Sequence, residues 1–251
     1  TDAVVPPTLH AEGLLVARQA GRIAGLPVAA AAFRLLDPAV TLDFRAADGD
    51  DVTAGTPLAV VRGPARAILT AERTALNFLG RLSGVATATR RAVEAAAPYG
   101  AAIVCTRKTT PGLRALEKYA VRAGGGRNHR FGLDDGILIK DNHRVLAGGL
   151  RPAVERARAA AGHMVRIEVE VDTLEELEEA LELGVDAVLL DNFTTDELRE
   201  AVRRAAGRAL LEASGGIGPE EVTAVAATGV DLISLGWITH GAPALDVALD
   251  L

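Results

Sequence analysis

The rhythm of hydrophobic and polar positions changes near residue 101. Residues 39–64 alternate short β-rich runs with Gly, Asp and Pro turns, which predicts an antiparallel sheet. From residue 65 to about residue 97, apolar residues recur at spacings of three and four, which predicts a helical region with potential breaks at Gly80 and Gly84. The following segment APYGAA predicts a domain boundary near residue 101.

Beyond that boundary, short apolar runs alternate with helical patterns about six times. The apolar runs are AAIVCT, GILIKD, RIEVEVD, AVLLDN, ALLEASGG and LISLGW. Thr173 with Glu176 and Thr194 with Glu197 predict capping boxes, and Pro219 suits a first helical turn. Successive β/α units predict a parallel sheet, either an α/β barrel, which is more economical, or a doubly wound sheet.

Polar residues gather at or just past the carboxyl ends of these predicted strands. They are Arg107, Lys108, Lys140, Asp141, Glu168, Glu170, Asp191, Asn192, Glu212, Ser214 and Gly236. The carboxyl-terminal mouth is where barrel enzymes carry their chemistry. A strand-end carboxylate can instead cap a helix or pair with a neighbour, so each of them also has a purely structural interpretation.

Length and composition indicate a globular protein with a sizeable core. The chain has 251 residues, 49% of them hydrophobic, and its longest apolar run is Ile23 to Phe33, too short for a membrane span. No signal-peptide pattern opens the sequence, so we expect a cytoplasmic protein without a membrane partner. Cys105, the single cysteine, rules out an intrachain disulfide and is expected to be a buried strand residue.

The charge distribution points to a small anionic ligand. The net charge of −6 and the 3% aromatic content argue against nucleic acid as a partner. Residues 106–144 nevertheless hold nine basic side chains against four acidic ones. All three lysines of the chain, Lys108, Lys118 and Lys140, lie within this stretch. A charge run is usually a solvated surface, but this concentration of lysines favours a ligand-binding site.

The polar residues at the predicted mouth suggest the kind of ligand. Four cations would attract a group with several negative charges: Arg107, Lys108, Arg130 and Lys140. Two carboxylates in the same place, Glu170 and Asp191, would repel each other unless a divalent cation or ribose hydroxyls lay between them. The turns EASGGI and SLGW offer backbone N–H groups to a phosphate.

Other site types are disfavoured. The two fingerprint patterns of nucleotide-binding loops are absent from the chain. His129 and His143 are too far apart for a helical ligand pair and have no cysteine nearby, so a zinc site is not expected. His129 beside Arg130 reads either as a neutral hydrogen-bond donor or as a structural histidine.

With these residues assembled, the sequence resembles the quinolinate phosphoribosyltransferases, also called carboxylating nicotinate-nucleotide pyrophosphorylases. The resemblance covers essentially the whole chain and rests on six long blocks in the family's order: AERTALNFLGRLSGVATATR, TRKTTPGLRALEKYAVRAGGGRNHRFGLDDGILIKDNH, IEVEVDT, VLLDNF, LEASGGI and GVDLISLGWITH. It implies a pentosyltransferase of NAD biosynthesis. The implied reaction joins quinolinate to phosphoribosyl pyrophosphate and releases pyrophosphate and CO2, leaving nicotinate mononucleotide.

The same resemblance implies a fold and an assembly. The fold is an N-terminal α/β sandwich over residues 1–101, followed by an incomplete α/β barrel over residues 102–242, with the tail at residues 243–251 returning to the first domain. The assembly is a homodimer with a shared active site, and whether dimers stack into hexamers stays open.

It also implies roles for individual residues. Arg107, His129, Arg130 and Lys140 would bind quinolinate or the transferring groups, with Lys108 near the phosphates. Glu170 and Asp191 would hold the ribose hydroxyls and Mg²⁺, and Lys140, Glu170 and Asp191 would form the catalytic set. The 5′-phosphate would be received by Ser214, Gly215, Gly216 and Gly236, and Arg73 would reach into the partner subunit's site.

Two alternative functions are suggested by parts of the sequence. A molybdenum-transport-associated paralogue shares the fold, but the blocks TRKTTPG and RNHR favour the pyridine-carboxylate enzyme. The segment DGDDVTAGTPLAVV resembles the hairpin of biotinyl or lipoyl carrier modules. That carrier role needs a lysine at the turn, and no lysine precedes Lys108.

Overall fold

The computed structural model describes all 251 residues and contains twelve strands and nine α-helices. The strands are β1 (His10–Ala17), β2 (Gly21–Arg22), β3 (Thr41–Phe44), β4 (Asp51–Val52), β5 (Pro57–Pro64), β6 (Ala102–Val104), β7 (Ile137–Ile139), β8 (Ile167–Val171), β9 (Ala187–Asp191), β10 (Leu210–Ser214), β11 (Leu232–Ser234) and β12 (Val247–Asp250). The helices are α1 (Leu26–Leu36), α2 (Ala65–Ala96), α3 (Arg114–Ala123), α4 (Asp141–Ala147), α5 (Leu150–Ala160), α6 (Leu174–Glu182), α7 (Thr195–Ala205), α8 (Val222–Ala226) and α9 (Trp237–His240).

The chain forms two compact units, each built from separate stretches of sequence. Unit 1 comprises Thr1–Arg91, Thr109–Gly126 and Trp237–Leu251, and unit 2 comprises Ala92–Lys108 and Arg127–Gly236. The domain limits predicted from the sequence, 1–101 and 102–242, stay a prediction.

Unit 1 is built on an antiparallel sheet. Its strand order is β12-β1-β5-β3, and β2 and β4 form a separate two-stranded ribbon. The antiparallel arrangement predicted for residues 39–64 is confirmed by the pairing of β3 with β5. The C-terminal strand β12 pairs antiparallel with β1, placing Asp250 opposite Leu14. The core of the unit includes the fully buried Phe33, Leu15, Ile23, Leu58, Ile68 and Leu79.

Helix α2 runs unbroken over 32 residues, so the potential breaks at Gly80 and Gly84 do not occur. The glycines serve close packing instead. A Cβ on Gly84 would come within 2.0 Å of the Pro243 carbonyl oxygen, and the Gly80 carbonyl accepts the Leu245 N–H at 2.9 Å. Small residues therefore let the C-terminal segment lie directly on the helix backbone. None of the nine helices, α2 included, has both the length and the apolar character that crossing a bilayer would take.

Unit 2 is built on a parallel sheet of six strands in the order β6-β11-β10-β9-β8-β7. The two edge strands, β6 and β7, are consecutive in sequence, so this order is that of a barrel left open between them. Arg127 forms an isolated parallel bridge with Val104 at the free edge of β6. The predicted fold class, an antiparallel domain with helices followed by an incomplete α/β barrel, is confirmed.

The helices of unit 2 begin mostly where the sequence predicts. Thr194 and Glu197 form a complete capping box at α7. Thr173 caps α6 by accepting the Glu176 N–H, and the Glu176 carboxylate accepts the Asp172 N–H at 2.9 Å. The prediction for Pro219 was wrong, because this residue lies in a turn and α8 begins three residues later.

Candidate active site

The carboxyl ends of the parallel strands in unit 2 carry the polar residues that the sequence singled out. Asp191 and Ser214 are the last residues of β9 and β10 and lie opposite each other in the register. Lys140 directly follows β7, and Glu170 lies one residue before the end of β8. Parallel strands end at one edge of a sheet, so consecutive strand ends bring distant residues together.

Lys140, Glu170 and Asp191 form one electrostatic cluster. The Lys140 ammonium group donates to the Glu170 carboxylate, which is only 7% exposed. Burial raises the pKa of Asp191, and the charges of Glu170 and Asp172 raise it further, while Lys140 and Lys108 act in the opposite direction. Three carboxylates and two ammonium groups therefore share this edge, and Asp172 also pairs with the Arg144 guanidinium at 3.0 Å.

A second group contains the two arginines predicted to bind the anion. Burial and the nearby Arg107 lower the pKa of Arg130, whereas Asp135 and Glu168 partly offset this effect. The Arg130 guanidinium also donates to the Gly136 carbonyl oxygen at 3.3 Å. Two guanidinium groups that repel each other form a favourable site for a ligand carboxylate.

His129 lies among acidic side chains. Its Nε2 is 3.1 Å from Glu168 Oε2 and 3.6 Å from Glu212 Oε2. A hydrogen bond to Glu168 raises the pKa of His129, aided by the charges of Glu212 and Glu168, while burial and Arg130 lower it. The Arg130 N–H donates to His129 Nδ1 at 2.8 Å, so both ring nitrogens have partners inside the chain.

The glycine-rich turn after β10 presents open backbone. Gly215 has φ +91°, and a Cβ there would lie 2.3 Å from Asn192 Oδ1, so both conformation and packing require glycine. Gly216 has φ +57° and nothing within 4 Å of a Cβ position. Gly236 follows β11 by two residues. The turn next to Ser214 therefore has room for a group that binds backbone N–H donors.

Two of the residues considered from the sequence belong to unit 1, and a third, in unit 2, is fully buried. Arg73 lies on α2, in unit 1, with 74% of its side chain exposed. Lys118, on α3 in unit 1, is 2% exposed. Cys105 is fully buried, as predicted, and its thiol donates to Asn128 Oδ1 at 3.4 Å.

Sequence reasoning gave no role to the acidic partners of His129 or to Asp172. Glu168 and Glu170 are two residues apart on β8, a spacing that places both on one face of a strand. This two-residue spacing is the sequence feature that could have indicated that Glu168 lies on the same face as Glu170. Glu212 is 40 residues or more from the other members along the chain, and its position beside His129 depends on the strand order.

The chain is similar to known proteins along nearly its whole length. The family model described as the N-terminal domain of quinolinate phosphoribosyl transferase matches residues 1–83, and the model for its C-terminal domain matches residues 85–250. A probable carboxylating nicotinate-nucleotide pyrophosphorylase from Bacillus subtilis is 48% identical over 240 residues, covering 96% of this chain and 83% of the relative. The corresponding Mycobacterium leprae protein is 45% identical over 259 residues, covering 100% of this chain and 90% of the relative.

Solved structures show the same likeness. The crystal structure of NadC from Streptococcus pyogenes superposes with a TM-score of 0.96 at 41% identity, covering 100% of this chain and 88% of that one. A nicotinate-nucleotide pyrophosphorylase from Francisella tularensis superposes with a TM-score of 0.96 at 39% identity, covering 99% and 88%. With both family models matched and relatives this similar along nearly the whole chain, the protein belongs to the quinolinate phosphoribosyl transferase family.

Proposed function

We propose that the chain transfers the phosphoribosyl group of phosphoribosyl pyrophosphate to the ring nitrogen of quinolinate. Pyrophosphate leaves from C1 of the ribose, and the adduct loses its C2 carboxylate as CO2 to give nicotinate mononucleotide. The proposal rests mainly on one observation: cations and carboxylates cluster together at the strand ends of unit 2. The chain that contains this cluster belongs to the family.

The charges of the two substrates explain why so many cations are needed. Quinolinate is a dianion and phosphoribosyl pyrophosphate carries several negative charges, so bringing them together is opposed by Coulomb repulsion. We assign Arg107 and Arg130 to the quinolinate carboxylates, since their guanidinium groups lie close together. Lys108 and Lys140 lie beside Asp191 and are assigned to the pyrophosphate and the reacting ribose carbon.

The 5′-phosphate is assigned to the turn formed by Ser214, Gly215 and Gly216, together with Gly236. Support comes from the left-handed backbone of the two adjacent glycines and the open space at Gly216. Successive N–H groups in such a turn bind anions well.

The proposed role of His129 is narrower than the resemblance implies. With both ring nitrogens bonded within the chain, it acts by orienting Arg130 and the acidic side chains around it.

Mg²⁺ is the proposed cofactor, held by Glu170 and Asp191. Carboxylate oxygens are the donors that Mg²⁺ prefers. The residues fit the ion, because burial and then the neighbouring carboxylates raise the pKa of Asp191, and a divalent cation would relieve the repulsion among those carboxylates. Bound there, Mg²⁺ would stabilise the charge of the departing pyrophosphate. Lys140 holds the Glu170 carboxylate in place and supplies a further positive charge at the same edge.

We further propose that the protein acts as a homodimer in the cytoplasm. In this arrangement Arg73 of the partner subunit completes the cationic site, and the high exposure of the Arg73 side chain on α2 supports this role. The single cysteine, which can form no intrachain disulfide, supports a reducing compartment such as the cytoplasm.

Substrate preference is tested by isothermal titration of the protein with quinolinate and, separately, with nicotinate. We expect quinolinate to bind at least about tenfold more tightly, since its second carboxylate adds a charge-assisted hydrogen bond worth about 1.5–3 kcal/mol. Tighter binding of nicotinate would contradict the proposal and indicate a transferase for the monocarboxylate.

A further inference from the structure

The cluster of His129, Glu168 and Glu212 holds more acidic charge than its surroundings balance. The Glu212 side chain is 2% exposed, and its Oε1 has no hydrogen-bond partner within the chain. Glu168 and Glu212 both approach the same nitrogen of His129. Arg130 offsets part of the charge of Glu168. An ionised Glu212 beside it and a neutral imidazole would still leave a second negative charge in a largely water-free environment, which is costly.

A proton rather than a metal ion is the group that balances this charge. The ligand atoms of the three residues lie within 4.8 Å of one another, a spacing that could also suit a divalent cation. However, His129 Nδ1 accepts the Arg130 N–H and so carries a lone pair, which places the proton of the neutral ring on Nε2. A protonated Nε2 donates to Glu168 and cannot coordinate a metal.

Glu212 is the residue placed to hold that proton. Burial raises the pKa of Glu212 to about 7, and the charge of Glu168 acts in the same direction, while His129 and the Ser234 hydroxyl oppose it. The pKa of His129 is also raised. Glu212 can therefore gain or lose its proton close to neutral pH.

Glu168 connects this cluster to the arginines. It faces Arg130, which in turn faces Arg107 and Asp135. An anion bound to the two arginines would place new negative charge near Glu168 and Glu212. That charge disfavours the ionised form of a nearby carboxyl group, so bound anion and bound proton stabilise each other.

We propose that Glu212 is a positioning residue of the quinolinate site, and that binding of the dianion draws one proton onto the Glu212 carboxylate beside His129. The inference rests on the proposed function. It also matches the needs of the reaction: when CO2 leaves, the electron pair of the broken bond stays on C2, which must then take up one proton.

The sign of the pH dependence follows from the raised pKa of Glu212, about 7 in the free protein. Well below that value the carboxyl group is already protonated, and binding takes up no proton. Above it the group is ionised, and binding must draw a proton from solvent. Quinolinate affinity should therefore be constant at low pH and fall above neutrality, by up to about tenfold per pH unit for one linked proton.

The test is calorimetric titration of the full chain with quinolinate, at about pH 6 and about pH 8, on either side of the Glu212 pKa. Each titration is run in two buffers of different ionisation enthalpy, which reports the number of protons taken up. We expect uptake approaching one proton per site at the higher pH and almost none at the lower. Glu212→Gln should lose the uptake and flatten the pH dependence, whereas Glu212→Asp, which keeps an acid, should retain uptake.

Glu178→Gln is the matched control, because Glu178 lies on α6 in surface ion pairs with Arg204 and Arg208 and should behave as the wild type. Quinolinate binding without proton uptake at either pH would overturn the inference and leave the proposed function standing. Uptake unchanged in Glu212→Gln would also overturn it, as would stoichiometric metal bound to the purified protein and lost in that variant. If Glu212→Gln fails to fold, the wild type and Glu212→Asp still decide the question. No quinolinate binding at all would overturn the proposed function, and this inference with it.

Discussion

Lys140→Ala should reduce turnover at least about 100-fold, the usual loss when a group that stabilises developing charge is removed. The Lys140 ammonium group donates to Glu170 and lies near Asp191, so its loss leaves three carboxylates opposed by Lys108 alone among the lysines of this edge. Repulsion of the incoming pyrophosphate should then increase. Steady-state rates of nicotinate mononucleotide formation measure the effect.

The fold should survive this change, because the Lys140 side chain is 47% exposed and removes no core volume. Circular dichroism and thermal unfolding check that point. Arg151→Ala, an exposed residue on α5, is the matched control for loss of one cation and should keep wild-type rates. Wild-type turnover in Lys140→Ala would refute the role given to this lysine.

Mixing two inactive variants should restore activity if the active site is shared between subunits. Arg73→Ala damages the site of the partner subunit, whereas Lys140→Ala damages its own, so a hybrid dimer has one intact site. With random exchange, half of the dimers are hybrids, and the mixture should recover about a quarter of wild-type activity. Each variant alone should show almost none.

Asp191→Asn mixed with Lys140→Ala provides the matched control for this experiment. Both substitutions damage a subunit's own site, so a hybrid dimer would contain no intact site and no activity should return. Subunit exchange is verified with differently tagged chains. Exchange without recovery in the Arg73→Ala mixture would contradict the shared site.

The elements that sequence predicts well here are those governed by local rules. The capping box at Thr194 and Glu197 follows from spacing alone, and so does the placement of polar residues at strand ends. The prediction of breaks in α2 was wrong because glycine can either interrupt a helix or let another segment pack closely against it. Gly84 lowers helix propensity locally, but its missing Cβ makes room for Pro243, far away in the sequence.

The acid cluster around His129 lay beyond what a single sequence can predict. Glu168 and Glu212 meet His129 only because β8 and β10 are each hydrogen-bonded to β9, an arrangement fixed by strand order. The tautomer of His129 depends on the Arg130 backbone N–H, which depends on loop conformation. The count of charged residues predicted a cationic site that binds an anion. The position of the buried acid Glu212 beside His129 could be seen only in the three-dimensional structure.

The proposed reaction releases the C2 carboxylate of quinolinate as CO2, and this release can be measured. Quinolinate carrying an isotope label in its C2 carboxylate is incubated with the protein, phosphoribosyl pyrophosphate and Mg²⁺. We expect labelled CO2 and nicotinate mononucleotide in equal amounts, only when phosphoribosyl pyrophosphate is present, and almost none with Lys140→Ala. No labelled CO2 from the folded wild-type protein, or release that does not depend on phosphoribosyl pyrophosphate, would contradict the proposed reaction.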